Sequence, residues 1–156
     1  MSQDQNIAKA IELFPIVVMN INKEIDDLIQ DFNLDKKISS QHVECMRIIK
    51  NFDSLTIQQL AQHQKIYKTA ASKRIKKLEK LGFVKQINSD NQRVKLVKLT
   101  IEGEKTLKYS SERSAELLKE RFKNYLSSED IKNFVDQLIY IEQILKDKNR
   151  KSNKQI

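Results

Sequence analysis

Apolar residues recur at steps of three and four along the first 32 positions, which predicts a helix over residues 5–32. Pro15 interrupts this run and predicts either a kink or the first turn of a second helix. Ser39 or Ser40 then offers an N-cap for a helix that extends to about Phe52. The polar cluster 51–54 that follows is typical of a turn.

The next segment predicts two helices joined by a short turn. Thr56 and Gln59 have the spacing of a capping box and begin a short helix. Residues 64–66 are typical of a turn, and a second helix is expected over 68–81, with an inner apolar stripe of Ala71, Ile75 and Leu78. Gly82 stands just past its end, where a positive φ commonly terminates a helix.

After Gly82 the hydrophobic period changes from helical to extended. Two partly alternating, β-branched segments, 83–87 and 93–99, flank the polar cluster 88–92, which predicts a hairpin with an exposed tip. Thr100 can cap a long helix to about Leu126, and Ser127 or Ser128 can cap the last helix. The last helix has a wide apolar face that includes Ile131, Phe134, Val135, Leu138 and Leu145.

A helix, a short turn, a helix and a two-stranded hairpin form a winged helix-turn-helix. The expected fold is therefore mainly α with a small β-hairpin, in which the winged helix-turn-helix is flanked by N- and C-terminal dimerisation helices. The expected divisions are 1–38 for the first dimerisation helix, 39–100 for the winged region, 101–146 for the C-terminal dimerisation helices and 147–156 for a basic disordered tail.

Composition narrows the function classes. With 156 residues, 39% hydrophobic and 32% charged, the chain fits an exposed helical protein of one domain better than a compact enzyme. Two glycines and one proline leave no room for a Gly-rich phosphate loop, and no paired acid or nucleophile–base set is evident. We therefore expect no enzyme, no cofactor and no metal, and a soluble cytoplasmic protein without a membrane span or signal peptide.

The positive charge is concentrated in one block. Residues 55–98 hold 11 Lys and Arg against 2 Asp and Glu, a net +9, whereas the whole chain carries +8. The segments on either side, 1–54 and 99–145, are mildly acidic. Because Lys and Arg neutralise phosphates, this distribution is the electrostatic footprint of a nucleic-acid reader.

The predicted second helix suits the major groove of DNA. Short polar groups near its start can meet base edges, and cations further along can meet phosphates. Candidates for base or near-base contact are Tyr67, Lys68, Thr69, Ser72 and Lys73. Lys76 and Lys77 are the candidates for phosphate contact, and Arg93 with Lys95 at the hairpin can reach a minor groove.

In the order and spacing of these motifs the sequence resembles the MarR-type transcriptional regulators of bacteria. The resemblance rests on Leu60-Ala61, the helix from Thr69 to Leu78, the run Leu78 to Val84, the wing from Arg93 to Leu99 with Thr100 and Gly103, and the start of the last helix at 126–129. It covers most of residues 40–145. It implies a homodimer bound to double-stranded DNA at a palindromic operator, usually as a repressor and sometimes with a small-molecule or redox input.

The sequence departs from the resemblance in its wing and in its cysteine. The family's wing usually carries Asp-x-Arg, but here Asn91 precedes Gln92-Arg93 and Asp90 lies one residue earlier. The family's redox sensors usually carry a cysteine in the first helix, which has none here, so Cys45 in the second helix is interpreted as a buried, inert thiol. His42 and His63 lack a neighbouring ligand cluster and are interpreted as structural.

Two function classes stay open at the level of sequence. One is a sequence-specific DNA-binding regulator, with an effector, if any, bound between the dimerisation helices and the winged domain. The other is a basic winged-helix module that binds RNA or protein partners without operator specificity, since a fold does not determine function.

Overall fold

The structure, a computed structural model, describes residues 1–31, 38–91 and 93–152. Within these ranges six helices and three short strands follow one another along the chain. They are α1 (Gln3–Asp31), α2 (Ser40–Phe52), β1 (Ser54–Leu55), α3 (Ile57–Gln64), α4 (Lys68–Lys80), β2 (Val84–Asn88), β3 (Lys95–Leu99), α5 (Ile101–Phe122) and α6 (Ser128–Ser152). The expected fold class, mainly α with a winged helix-turn-helix, is confirmed.

The chain divides into two compact units, residues 1–114 and 115–156. The first unit holds one hydrophobic core, to which α2, α3, α4, the three strands and the start of α5 all contribute. The largest side chains that are almost fully buried belong to this core, and they are Phe83, Met46, Ile49, Leu60, Ile75 and Leu78. The winged region therefore has a core of its own, against which α4 packs.

The sheet is antiparallel and has the order β1-β3-β2. Strands β2 and β3 pair from Val84–Leu99 to Asn88–Lys95, and β1 adds Leu55 opposite Val97. Strand β1 was missed by the sequence analysis because two residues are too short to establish an alternating pattern. The turn predicted over 51–54 is therefore wrong at Ser54, which begins this strand.

Local capping explains where the helices of the winged region begin. The Thr56 hydroxyl accepts a hydrogen bond from the Gln59 amide at 3.1 Å, and the Gln59 side chain accepts one from the Thr56 amide at 2.9 Å. This confirms the predicted capping box at the start of α3. The Thr100 hydroxyl likewise accepts a hydrogen bond from the Gly103 amide at 3.0 Å, which confirms Thr100 as the cap of α5.

Several predicted boundaries are wrong. Of the two alternatives predicted at Pro15, the second helix is excluded, because the single helix α1 contains this residue. Residue 32, the expected helix end, lies outside the described residues. Helix α5 ends at Phe122 and not at Leu126, because residues 123–125 form a turn that precedes the Ser127 cap. Residues 147–152, expected to be disordered, continue α6, and residues 153–156 of the predicted tail lie outside the described chain.

The second unit consists mainly of α6. Its start is fixed by a reciprocal cap in which Ser127 donates its amide to Asp130 at 2.8 Å and accepts the Asp130 amide at 3.1 Å. Many large apolar side chains of this helix are exposed, namely Ile131, Phe134, Val135, Leu138, Ile139, Ile141, Ile144 and Leu145. None of the helices in the described part of the chain is long and apolar enough to cross a membrane.

Candidate nucleic-acid interface

Helix α4 is the second helix of the helix-turn-helix and is held in place by its inner stripe. Ala71, Ile75 and Leu78 are fully buried in the core of the first unit. Because these three residues share one face of the helix, the opposite face is turned to solvent. That face carries the short polar and cationic side chains proposed from the sequence.

The structure places most of the proposed contact residues together on or next to this outer face. Tyr67 is the N-cap of α4, makes no side-chain capping hydrogen bond and is 86% exposed. The exposed members of the outer face are Thr69, Lys73, Lys76 and Lys80, and Lys68 is exposed beside them in the first turn. Together they form a cationic surface along the length of α4, which can bind the phosphates that line a DNA groove.

Ser72 and Lys77 are half-buried and flank this surface. The positive charge of Lys77 helps to lower the pKa of His42 on α2, so Lys77 lies on the side of α4 that faces α2. A lysine in this position reaches solvent with only part of its side chain. Lys77 is therefore less available for phosphate contact than Lys76.

Hydrogen bonds at the end of α4 terminate the helix and direct the chain into the wing. The Gly82 amide donates to the Glu79 carbonyl and the Phe83 amide donates to the Leu78 carbonyl, both at 2.9 Å, which is the hydrogen-bond pattern of a Schellman motif. Gly82 has a φ of 79°, as predicted for a residue at this position. The Gln86 side chain on β2 also donates to the Glu79 carboxylate at 3.0 Å, so the wing is tied directly to α4.

The tip of the wing carries Arg93 and Lys95, both exposed. Strand pairing ends at Asn88–Lys95, so Arg93 precedes β3 and the expected strand start at residue 93 is wrong. The Arg93 amide donates to the Asn91 carbonyl at 2.6 Å, and the Ser89 amide donates to the Val94 carbonyl at 3.0 Å. These two hydrogen bonds hold the backbone at the tip, where the Arg93 side chain is exposed.

Arg74 is a residue of this region that the sequence analysis missed. It lies on the flank of α4, where its guanidinium donates to the Gln64 side chain of α3 at 3.0 Å and to the Gln41 side chain of α2 at 2.8 Å. The Gln64 side chain in turn donates to the Gln41 carbonyl at 3.2 Å. No sequence signal indicates this triangle, because its members are 10 to 33 positions apart.

Cys45 and His42 have structural environments. Burial raises the pKa of the Cys45 thiol to about 12, and the side chain is fully buried, so the predicted burial is confirmed. A raised pKa disfavours the reactive thiolate, which supports the interpretation of an inert thiol. The His42 ring nitrogen Nδ1 accepts the Ser39 amide at 3.2 Å at the start of α2. Burial, with the charges of Lys77 and Arg74, lowers the pKa of His42. Within the described ranges no three metal-binding side chains come together.

Helix α4 packs by its buried stripe, presents a cationic outer face and is tied to the wing at its end. This arrangement defines the winged helix-turn-helix class of DNA-binding proteins. Comparison with known proteins agrees. The family model described as "MarR family" matches residues 38–95. The HTH-type transcriptional regulator TcaR of Staphylococcus aureus (strain Newman) is 33% identical over 129 residues, covering 79% of this chain and 82% of that protein.

Two solved structures show the same fold. A MarR family protein from Bacillus stearothermophilus has a TM-score of 0.72 at 15% identity and covers 94% of this chain and 99% of its own. A mutant of MarR from E. coli complexed with operator DNA has a TM-score of 0.63 at 17% identity, covering 90% of this chain and 99% of its own. The chain belongs to the MarR family and is a DNA-binding transcriptional regulator. The alternative of an RNA- or protein-binding module is not favoured.

Proposed function

We propose that the protein binds a palindromic operator as a homodimer and represses transcription from it. The observation that carries the proposal is the cationic outer face of α4, formed by Thr69, Lys73, Lys76 and Lys80 opposite a fully buried inner stripe, with Lys68 exposed in the first turn. A two-fold dimer presents this face twice, so its half-sites should lie about one helical turn apart, ~34–36 Å. The structural neighbour from E. coli, which is complexed with operator DNA, supports DNA as the partner.

The dimer is proposed from exposed apolar surface. Besides α6, helix α1 has large exposed apolar side chains, which are Ile7, Ile11, Leu13, Phe14, Ile16, Val17, Val18 and Met19. Patches of this kind rarely stay exposed to water and mark sites of association. The resemblance to the family implies that the partner is a second copy of the chain. In a two-fold dimer the two copies would bind the two half-sites of the operator in the same way.

Individual contacts on DNA are proposals of the same kind. Tyr67, Lys68, Thr69, Ser72 and Lys73 are assigned to bases or their immediate surroundings. Lys76, and to a lesser degree Lys77, are assigned to phosphates, and Arg93 with Lys95 to the minor groove. Their exposure supports these assignments, with Lys77 and Ser72 the least exposed of the set.

A cavity in the first unit is a candidate location for a small-molecule effector. An open cavity of about 710 Å³ lies between α1 and the start of α2 and is lined by residues that include Pro15, Met19, Asp26 and Ser39. Its position next to a proposed dimerisation helix fits the expectation of an effector between dimerisation helices and winged domain. We further propose that the protein acts in the cytoplasm, where a bacterial chromosome is accessible, and that it has no enzymatic activity.

Selection of bound duplexes from a random library tests the operator proposal. The parent protein should enrich a two-fold-symmetric site whose half-sites are separated by about one helical turn. Lys76→Ala should weaken binding to all duplexes alike and flatten the salt dependence by about one unit, whereas a change at Ser72 or Lys73 should alter which bases are enriched. Enrichment of no symmetric site by the parent would overturn the proposal.

A further inference from the structure

From the triangle of Arg74, Gln41 and Gln64 we infer that Arg74 is a positioning residue, which sets the orientation of α4 for operator binding without contacting DNA itself. The inference rests on the proposed function, because it concerns how the same interface recognises its site. It goes beyond that proposal by assigning a role to a cation of α4 that lies outside the outer face.

The geometry of Arg74 separates it from the DNA-facing lysines. Two different nitrogens of its guanidinium donate to two different helices, to Gln64 at 3.0 Å and to Gln41 at 2.8 Å, and the side chain is half-buried. A guanidinium holds its donors in a rigid planar fork, so satisfying two acceptors fixes its position. By contrast, Lys73 and Lys76 are exposed on the outer face.

The two acceptors, Gln64 and Gln41, lie on α3 and α2, so they can fix the angle of α4 relative to these two helices. Gln64 is the last residue of α3, and Lys65 after it adopts a left-handed conformation with a φ of 52° that starts the turn into α4. Gln41 is in the first turn of α2, and its carbonyl also accepts the Gln64 side chain at 3.2 Å. Arg74 therefore ties α4 both to the preceding helix and to the start of α2.

Such a connection affects specific binding more than non-specific binding. Base contacts depend on the placement of side chains to within a fraction of an ångström, whereas attraction to phosphates depends on net charge and falls off slowly. If Arg74 positions α4, its loss should reduce affinity for the operator and leave affinity for unrelated duplexes nearly unchanged. If Arg74 contacts a phosphate, both affinities should fall together.

The conservative variant Arg74→Lys gives the sharpest test, because it keeps the charge but cannot reach two acceptors as a fork. We expect it to lower affinity for the selected operator about tenfold and to change affinity for a scrambled duplex less than about twofold, with the salt dependence of both unchanged. Arg47→Lys, an exposed position on α2, is the matched control and should bind both duplexes as the parent does.

A double-mutant cycle tests whether Arg74 acts through Gln41. Gln41→Ala alone should weaken operator binding to a similar extent, and the double variant should be no weaker than the poorer single variant, because both changes break one connection. Gln41 is exposed, so Gln41→Ala also serves if an Arg74 variant does not fold. Additive losses, or operator binding by Arg74→Lys equal to that of the parent, would overturn the inference.

Hydrogen exchange in the protein without DNA distinguishes failure of this inference from failure of the proposed function. In Arg74→Lys the hydrogen-bonded amides of Lys65, Ile66 and Ala71 should exchange several-fold faster than in the parent, and in Arg47→Lys they should not. Unchanged exchange overturns the positioning role even if an operator is found. Faster exchange supports the role of Arg74 in holding α4 even if the parent selects no operator, in which case it is the operator proposal that fails.

Discussion

The carboxylate of Asp26 on α1 holds the start of α2 by accepting two hydrogen bonds from Ser40, one from its backbone amide and one, at 3.1 Å, from its hydroxyl. A negative charge at a helix N-terminus also interacts favourably with the free amides of the first turn. The next residue, Gln41, contacts Gln64 and Arg74. Hydrogen bonds therefore connect α1 to α4 through the first turn of α2.

The connection through Asp26 should contribute measurably to stability. Asp26→Ala removes both acceptors and leaves the amide and hydroxyl of the buried Ser40 without a partner in the protein, so we expect the free energy of unfolding to fall by about 1–3 kcal/mol. Urea denaturation measures this difference. Asp27, on the same helix, is exposed, so Asp27→Ala is the control. Its free energy of unfolding should be within about 0.5 kcal/mol of that of the parent. Equal midpoints for the two variants would show that Asp26 does not hold α2.

The two glycines should respond differently to alanine. A Cβ at Gly103 would lie 2.0 Å from the Phe83 carbonyl oxygen, so α5 must move away from the backbone that precedes β2. Gly103→Ala should therefore destabilise the protein by about 1–3 kcal/mol, as overpacking does. At Gly82 a Cβ meets nothing within 4 Å, and the cost there comes from the φ of 79° alone, about 1 kcal/mol. A Gly103→Ala protein no less stable than Gly82→Ala would contradict the close approach of α5.

The order of the helices and the wing could be predicted because each depends on local signals. The Thr56–Gln59 capping box, the Gly82 helix end and the Thr100 cap are set by residues within a few positions of one another. Strand β1 could not be predicted, because its two residues are extended only through pairing with Lys98 and Val97 more than 40 positions away. Boundaries near residues 122 and 147 were wrong because apolar periodicity does not identify where a helix ends.

The candidate interface was predictable to the same degree. The inner stripe of α4 and its exposed lysines follow from helical periodicity alone. The half-buried state of Lys77 does not, since it depends on how α4 packs against the rest of the unit. The role of Arg74 depends on partners in two other helices, and a cation within a Lys-rich segment gives no signal that sets it apart.

Acidification should destabilise the protein through His42. Its pKa in the folded state is lowered below 6.5 by burial and by the charges of Lys77 and Arg74, while Asp26 acts in the opposite direction. The unfolded chain therefore binds more protons than the folded one in this range. The stability contributed by neutral His42 is fully present when the pH is above the pKa of His42 in the unfolded chain, about 6.5. It is lost progressively as the pH falls from there towards the lowered pKa in the folded protein.

A glutamine at position 42 separates the cap from the titration. The His42→Gln side chain can still accept the Ser39 amide, as in an ordinary capping box, but does not titrate. Its stability between pH 7.5 and pH 5 should decline less than that of the parent, as measured by denaturant midpoints at each pH. Parallel curves for the parent and His42→Gln would exclude His42 as the cause.

Introducing a charge into the apolar surface of α6 should prevent dimerisation. Leu138 lies among the exposed apolar side chains of this helix. Leu138→Asp would place a carboxylate within the proposed interface, where removing it from water costs much free energy. Analytical ultracentrifugation at micromolar concentration should show a dimer for the parent and a monomer, or a loss of soluble protein, for the variant. Gln137→Asp adds the same charge one position away and should remain dimeric. A monomeric parent would refute the dimer.

The wing should contribute to binding in a way that depends on the sequence flanking the operator. Arg93 is exposed at a tip whose backbone is held by the Arg93–Asn91 and Ser89–Val94 hydrogen bonds. An arginine in the minor groove is attracted most strongly where A·T-rich sequence makes the groove narrow and negative. Arg93→Ala should therefore cost about 1–2 kcal/mol of binding free energy on operators with A·T-rich flanks and much less on G·C-rich flanks.

Two other variants determine whether that loss comes from the wing alone. Lys76→Ala, on the outer face of α4, should weaken binding equally on both kinds of flank, because phosphate contacts do not depend on sequence. Asn91→Asp restores the family's acidic residue, which can orient Arg93 but also adds a negative charge near DNA, so affinity should stay within about 1 kcal/mol of the parent. Titrations at two salt concentrations test all three variants. If Arg93→Ala binds every flank as the parent does, the wing serves to brace α4, through the contact of Gln86 with Glu79, and does not contact DNA.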